Sequence, residues 1–256
     1  MSFLDELLTS TRARVAEAKE KVTDDVLEQR VASISPPRPF ADALRGPATT
    51  VIAEIKRATP SKGPLNLDLD ATALAESYER GGAVAISVLT EPDFFKGSLE
   101  DLQAAARVGL PVLRKDFVLD PFQILEARAS GADSVLIIVR TVGTDLTELV
   151  RTSVALGMQP LVEVFGERDL DGALEAGARV IGINHRDLET FEVDAERTAK
   201  LAPRIPDDVT IVALSGVATR AEMEELGAAG AHSVLVGESL VTAPDPEAKL
   251  RELLGR

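Results

Sequence analysis

Short apolar runs recur along the chain, and most end on a polar or charged residue. They are VIAEIK (51–56), AVAISVLT (83–90), PVLRKDF (111–117), SVLIIV (134–139), QPLVEV (159–164), VIGIN (180–184), TIVALS (210–215) and SVLVGE (233–238). Between them lie longer segments whose apolar positions repeat at helical spacing. Gly81-Gly82-Ala83, Gly109-Leu110, Gly131-Ala132, Gly177-Ala178 and Gly230-Ala231 stand just before strands, where glycine commonly closes a helix. The last run precedes Pro244-Asp245-Pro246 and a closing helix over 246–254. Strand–helix alternation repeated eight times predicts a parallel α/β fold. The count favours a closed (β/α)8 barrel over an open doubly wound sheet.

Residues 1–48 precede the first strand. Their pattern predicts helices over 3–21 and 24–32, then a stiff connector at Ser35-Pro36-Pro37-Arg38-Pro39. That length is too short for a core of its own. We expect one barrel domain over 1–256, with 1–48 packed on it as a helical extension.

Charge and composition narrow the function. The 256 residues carry a formal net charge of −14, which argues against nucleic-acid and anionic-membrane partners. A phosphate-bearing ligand must then be captured by local lysines and backbone N–H groups. With a Debye length of about 8 Å at physiological salt, local capture dominates. The chain has no cysteine, which excludes disulfides and thiolate catalysis and suits a cytoplasmic protein. Its two histidines, His185 and His232, lie far apart in sequence, so no metal site is expected. The apolar runs are too short to span a membrane, and the N-terminus reads as an amphipathic helix with no secretory h-region.

The chemistry gathers at strand ends. Glu54 and Lys56 are two apart and so share one strand face, and the strand then breaks at Thr59-Pro60-Ser61-Lys62-Gly63. The third run supplies Lys115 and Phe117, the fifth Glu163, the sixth Asn184 followed by His185-Arg186-Asp187. The seventh ends in Ser215-Gly216 and the eighth in Gly237-Glu238-Ser239. Barrels of this type build their sites at the C-terminal ends of the strands, with phosphate often held after strands 7 and 8. Two lysines, two glutamates and an asparagine therefore converge on one mouth. Each has a plainer reading by itself: Lys115 paired with Asp116 or Glu163, Asn184 capping a loop, Phe117 packing in the core. No Walker or GxGxxG loop appears, so nucleotide binding is not indicated.

EIKRATPSKG (54–63), ISVLTEPDFFKGS (86–98), LRKDFVLDPFQI (113–124), EARASGADSVLIIV (126–139), LVEV (161–164), GINHRDLETFEVD (182–194) and VLVGESLV (234–241) together resemble indole-3-glycerol phosphate synthase nearly end to end. The resemblance implies a cofactor-free, decarboxylating and dehydrating ring closure in tryptophan biosynthesis. The implied substrate is 1-(2-carboxyphenylamino)-1-deoxyribulose 5-phosphate. It implies Lys115 as general acid, Glu163 as base, Glu54 and Lys56 as the orienting pair, and Asn184 on the sugar. It implies Phe117 as a wall for the aromatic ring, and Thr59, Ser215, Gly216, Gly237 and Glu238 as the phosphate grip. Arg186 is expected to hold its loop through an acid such as Asp187, or to approach the substrate. A monomer is expected.

One residue departs from that family's pattern. Where Glu-Ser-Gly is usual, this chain reads Leu214-Ser215-Gly216. Strict alternation sends Leu214 and Ser215 to opposite faces, whereas the resemblance places both in the site. An inward Leu214 removes a carboxylate, whether by divergence, specialisation or engineering. It leaves open a phosphate-binding pseudoenzyme or a specialised paralogue on the same barrel. A sister phosphosugar barrel such as phosphoribosylanthranilate isomerase is disfavoured by the long extension and the absent cysteine.

Overall fold

In the computed structural model, which describes residues 2–187 and 192–256, eight parallel strands close into a barrel. They are β1 (Thr50–Ile55), β2 (Ala85–Leu89), β3 (Val112–Lys115), β4 (Ser134–Ile138), β5 (Leu161–Val164), β6 (Val180–Asn184), β7 (Thr210–Leu214) and β8 (Ser233–Val236). Each strand pairs with its sequence neighbours, and β8 closes on β1 through Thr50–Ala53 and Ser233–Val236. The predicted strands are therefore all present. The first connection differs from a simple helix, because a short antiparallel hairpin at 58–64 comes before the helix Ala71–Gly81. Among the described residues no helix is long and apolar enough to cross a membrane.

Alternation along each strand sorts the core into two shells. Outward residues such as Val51, Ala53, Ile55, Ile86, Val88, Ile181 and Ile183 pack against the surrounding helices. Inward residues Ile52, Ala85, Leu113, Leu136, Leu161, Val180, Val212 and Leu235 fill the barrel, so it is a packed core. Above them the inward positions change from apolar to charged, and that change is what places the site at the mouth.

The extension joins the mouth to the floor. Helix α1 (Phe3–Lys21) starts with a capping box between Ser2 and Asp5. It lies across the loops that follow β2 and β3. Phe3 meets Phe94 edge-on at 5.1 Å, Arg14 approaches Glu91 at 3.7 Å and Asp116 at 3.6 Å, and Lys19 pairs with Asp120 at 2.7 Å. Helix α2 (Asp24–Ser33) packs on the helix Pro121–Ala129. The connector is tied down by Arg38, whose N–H donates to Asp133 at 2.7 Å. The short helix α3 (Phe40–Ala43) then plugs the base of the barrel with Phe40, fully buried in the inner cluster. A side chain of that kind contributes about 1.5–3 kcal/mol by burial.

Candidate active site

A pocket of about 360 Å³ opens at the C-terminal ends of the strands, lined among others by Glu54, Lys56, Lys115, Phe117, Glu163, Asn184, Leu214 and Ser215. Every site residue expected from the sequence borders it, including Thr59, Arg186, Gly216, Gly237 and Glu238.

Glu54 is the hub. It is 2 % exposed, and its Oε1 accepts an ion pair from Lys56 at 2.7 Å while Oε2 lies 3.8 Å from the Lys115 ammonium. Burial pushes its carboxyl up, but Lys56 and Lys115 outweigh that, and its pKa sits below the ordinary value. Gly237 makes this pair possible: a Cβ there would stand 3.1 Å from the Lys56 Nζ and overlap the Glu54 carboxylate. The plainer reading of Lys115 is corrected by this geometry, since its ion pair is with Glu54 at 3.8 Å and not with Asp116 or Glu163, although its charge is felt at Glu163. Asp116 turns outward and is saturated by Arg114 at 3.1 Å, Thr90 at 2.7 Å and the N–H of Phe117 at 2.8 Å. That network ends the β3 ladder, so Phe117 sits just beyond the strand and serves both as inner-core residue and as pocket wall.

Glu163 has the opposite electrostatics. Burial raises its pKa, only partly offset by Lys115 and by a hydrogen bond from Asn184 Nδ2 at 3.0 Å. Asn184 is engaged at both ends of its amide, because its Oδ1 also accepts the N–H of Arg186 at 3.0 Å. It therefore caps the loop and fixes Glu163 at once. Asp187 is 3.5 Å from Arg140, whose guanidinium stacks on Phe165 at 4.5 Å. Residues 188–191 of the GINHRDLETFEVD stretch lie outside the described residues.

The direction of Leu214 is settled by the backbone. Leu214 is 1 % exposed, belongs to the inner cluster and lines the pocket floor. It lies over Gly182, where an added Cβ would stand 2.8 Å from Leu214 Cδ1. Ser215 reaches the pocket as well because the strand ends there and its φ turns to +69°, followed by Gly216 at +84°. Alternation fails where β geometry stops.

His185 secures that turn. The Ser215 carbonyl can only accept, so His185 Nδ1 carries the proton and donates to it at 3.2 Å, and the Thr198 hydroxyl meets Nε2 at 2.8 Å. Burial holds the imidazole pKa below its usual value, consistent with one neutral tautomer. Sequence reasoning passed over His185, since nothing in its neighbourhood along the chain announces this contact.

Lys62, Phe3, Leu4 and Phe95 were missed for the same reason, whereas Thr59 and Ser239 stand where the strand ends announced them. Ser239 borders the pocket with a buried hydroxyl that has no hydrogen-bond partner. Lys62 borders it too and pairs with Glu238, so the Glu238 side chain is engaged by a cation and its backbone is what remains for an anion. Thr59 Oγ1 accepts the N–H of Lys62 at 3.1 Å. Phe3, Leu4 and Phe95 form the outer wall, assembled from α1 and the loop after β2.

Known proteins resemble this one along its whole length. A model of the family described as indole-3-glycerol phosphate synthase matches residues 4–253. The indole-3-glycerol phosphate synthase of Streptomyces griseus is 45 % identical over 256 residues, covering 99 % of this chain and 95 % of that protein. That of Mycolicibacterium smegmatis is 47 % identical over 255 residues, covering 99 % and 94 %. Among solved structures, thiamine phosphate pyrophosphorylase from Pyrococcus furiosus superposes with a TM-score of 0.63 at 16 % identity over 84 % of this chain and 96 % of that one. At that identity the likeness is one of fold. Identity near half over the full length is of another order, and it agrees with the mouth described above: this chain belongs to the indole-3-glycerol phosphate synthase family.

Proposed function

We propose that this barrel closes the indole ring of 1-(2-carboxyphenylamino)-1-deoxyribulose 5-phosphate, giving indole-3-glycerol phosphate, carbon dioxide and water. The observation that carries this reading is Glu54 standing between two lysines at the mouth, with a second buried carboxylate, Glu163, held separately by Asn184.

The ring carbon bearing the carboxylate attacks the ketone, and negative charge grows on the keto oxygen. Lys115 donates its proton there and stabilises that charge. The carbon–carboxylate bond then breaks, its electron pair returns to the ring, and carbon dioxide leaves. In the last step the new hydroxyl departs as water while a base removes the proton from the carbon beside the nitrogen. Glu163 is that base: burial raises its pKa towards the working range, which strengthens it as a proton acceptor once ionised. The Glu54–Lys56 pair orients the substrate and supplies the proton that leaves with the hydroxyl. Phe117, Leu214, Leu235 and Phe95 give the aromatic ring an apolar seat. Ser215, Gly216, Gly237, Ser239 and the backbone of Glu238 hold the phosphate, with Thr59 and Lys62 above. A helix starts at Glu238, and helix starts carry orphan N–H donors suited to an anion.

Both lysines and both glutamates are in place, which disfavours the pseudoenzyme reading. A monomeric, cytoplasmic enzyme with residues 1–48 as an extension of one barrel domain completes the proposal; the cysteine-free chain supports that compartment. The test is to supply purified protein with the substrate and follow indole fluorescence and carbon dioxide together. Equimolar appearance of both supports the assignment, and phosphate binding without carbon dioxide release contradicts it.

A further inference from the structure

Beneath the mouth, two buried polar atoms stand without a hydrogen-bond partner on adjacent strands. Glu54 on β1 is in register with Ser87 on β2, and the side chains are 2 % and 0 % exposed. Ser87 is inward-facing, between the outward Ile86 and Val88, and it is level with Leu113, two residues below Lys115 on β3. The oxygens of Glu54 are unequal. Oε1 is taken by Lys56 at 2.7 Å. Oε2 has the Lys115 ammonium at 3.8 Å, which is ion-pair reach and not a hydrogen bond. By strict geometry neither Glu54 Oε2 nor the Ser87 hydroxyl makes a hydrogen bond, yet the hydroxyl already acts as a weak donor that helps hold Glu54 ionised. Buried polar groups are rarely left this way without cause.

The proposed chemistry supplies a cause. To reach the keto oxygen, Lys115 must leave Glu54, and it would leave a buried carboxylate oxygen behind. We propose that Ser87 is a positioning residue for the general acid: its hydroxyl turns to donate to Glu54 Oε2 as the Lys115 ammonium moves onto the substrate. A hydroxyl rotor needs no backbone motion. Being neutral, it keeps Glu54 ionised without holding a third cation there. The charged or titratable groups facing Glu54 are Lys56 on its own strand, Lys115 from β3 and Glu163 from β5. Tyr78 joins them from the helix Ala71–Gly81, its hydroxyl donating to the Glu54 carbonyl at 3.0 Å. Gly237 at the end of β8 adds no side chain.

This inference rests on the ring-closure reading, and the experiment keeps the two apart. Wild type, Ser87→Ala and Ser87→Thr are compared for kcat, KM, melting temperature and the pH profile of kcat between about pH 5 and about pH 10. For Ser87→Ala we expect kcat to fall about tenfold, with KM little changed and melting temperature no lower than wild type. The acid limb moves to higher pH, because the Glu54 anion loses a donor. Ser87→Thr keeps the hydroxyl and restores kcat. An active wild type whose kcat and pH profile superimpose on those of Ser87→Ala overturns the proposal. So does an equal loss in Ser87→Ala and Ser87→Thr, which marks a packing effect. Should Ser87→Ala not fold, Ser87→Cys keeps the volume with a weaker donor: a lower kcat supports the proposal and an unchanged one overturns it. A wild type that forms no product overturns the underlying reading instead.

Discussion

His185 donates through Nδ1 to the carbonyl of Ser215 at 3.2 Å, and this contact links the end of β6 to the turn that follows β7. Ser215 adopts φ +69° there, a conformation that non-glycine residues enter at a cost. A neutral donor fixed by Thr198 offsets that cost. Replacing His185 with alanine should raise KM for the substrate and the inhibition constant of inorganic phosphate about fivefold, the value of one hydrogen bond near 1 kcal/mol, with a smaller effect on kcat. His185→Asn keeps a donor and should recover most of the affinity. Unchanged phosphate inhibition in His185→Ala would show that the turn holds itself.

Glu163 exchanges stability for basicity. Its folded pKa is above its unfolded value, so the folded state binds the proton more tightly and ionisation weakens the fold. Stability is lost as pH rises from the unfolded pKa through the folded one. Glu163→Gln keeps the acceptor for Asn184 and removes the charge. It should abolish turnover and raise the melting temperature at pH 7, with a gain that shrinks as pH falls from the raised folded pKa towards about 4.5 and is gone below it. Thermal melts of both proteins across that range check the sign, and a less stable Glu163→Gln at pH 7 would refute it.

Leu214 makes the floor drier than a carboxylate would. It fills the space above Gly182 and is in register with Asn184. Leu214→Glu should lower stability by about 1–3 kcal/mol, because a buried carboxylate replaces an apolar side chain. It should also raise kcat by restoring a second acid near the reacting ring. The added negative charge disfavours ionisation of Glu163 further, so the acid limb of the pH profile moves to higher pH. Equal kcat and superimposable profiles would reduce Leu214 to packing.

Much of this was legible along the chain because periodicity is local. The eight runs became the eight strands, and the predicted helices at 3–21, 24–32 and 246–254 appear as Phe3–Lys21, Asp24–Ser33 and Pro246–Leu254. Charges placed two apart, as in Glu54 and Lys56, correctly announced an inward face. What escaped depends on distant segments meeting. Phe3 and Leu4 reach the pocket only because Arg14 and Lys19 seat α1 over two barrel loops. Lys62 meets Glu238 across 176 residues of chain. Leu214 faces inward by alternation with Val212, but bringing Ser215 to the same pocket required the φ reversal at Ser215, which no alternation rule supplies.

Lys115→Met tests the central claim most directly, that an ammonium at the end of β3 protonates the keto oxygen during ring closure. The measurement is turnover to indole-3-glycerol phosphate beside the dissociation constant of inorganic phosphate. Losing that donor should cost at least about 3 kcal/mol of transition-state stabilisation, so turnover should fall about a hundredfold or more. Phosphate binding should stay within about twofold of wild type, because the grip after β7 and β8 is untouched. Turnover by Lys115→Met at the wild-type rate would contradict the account.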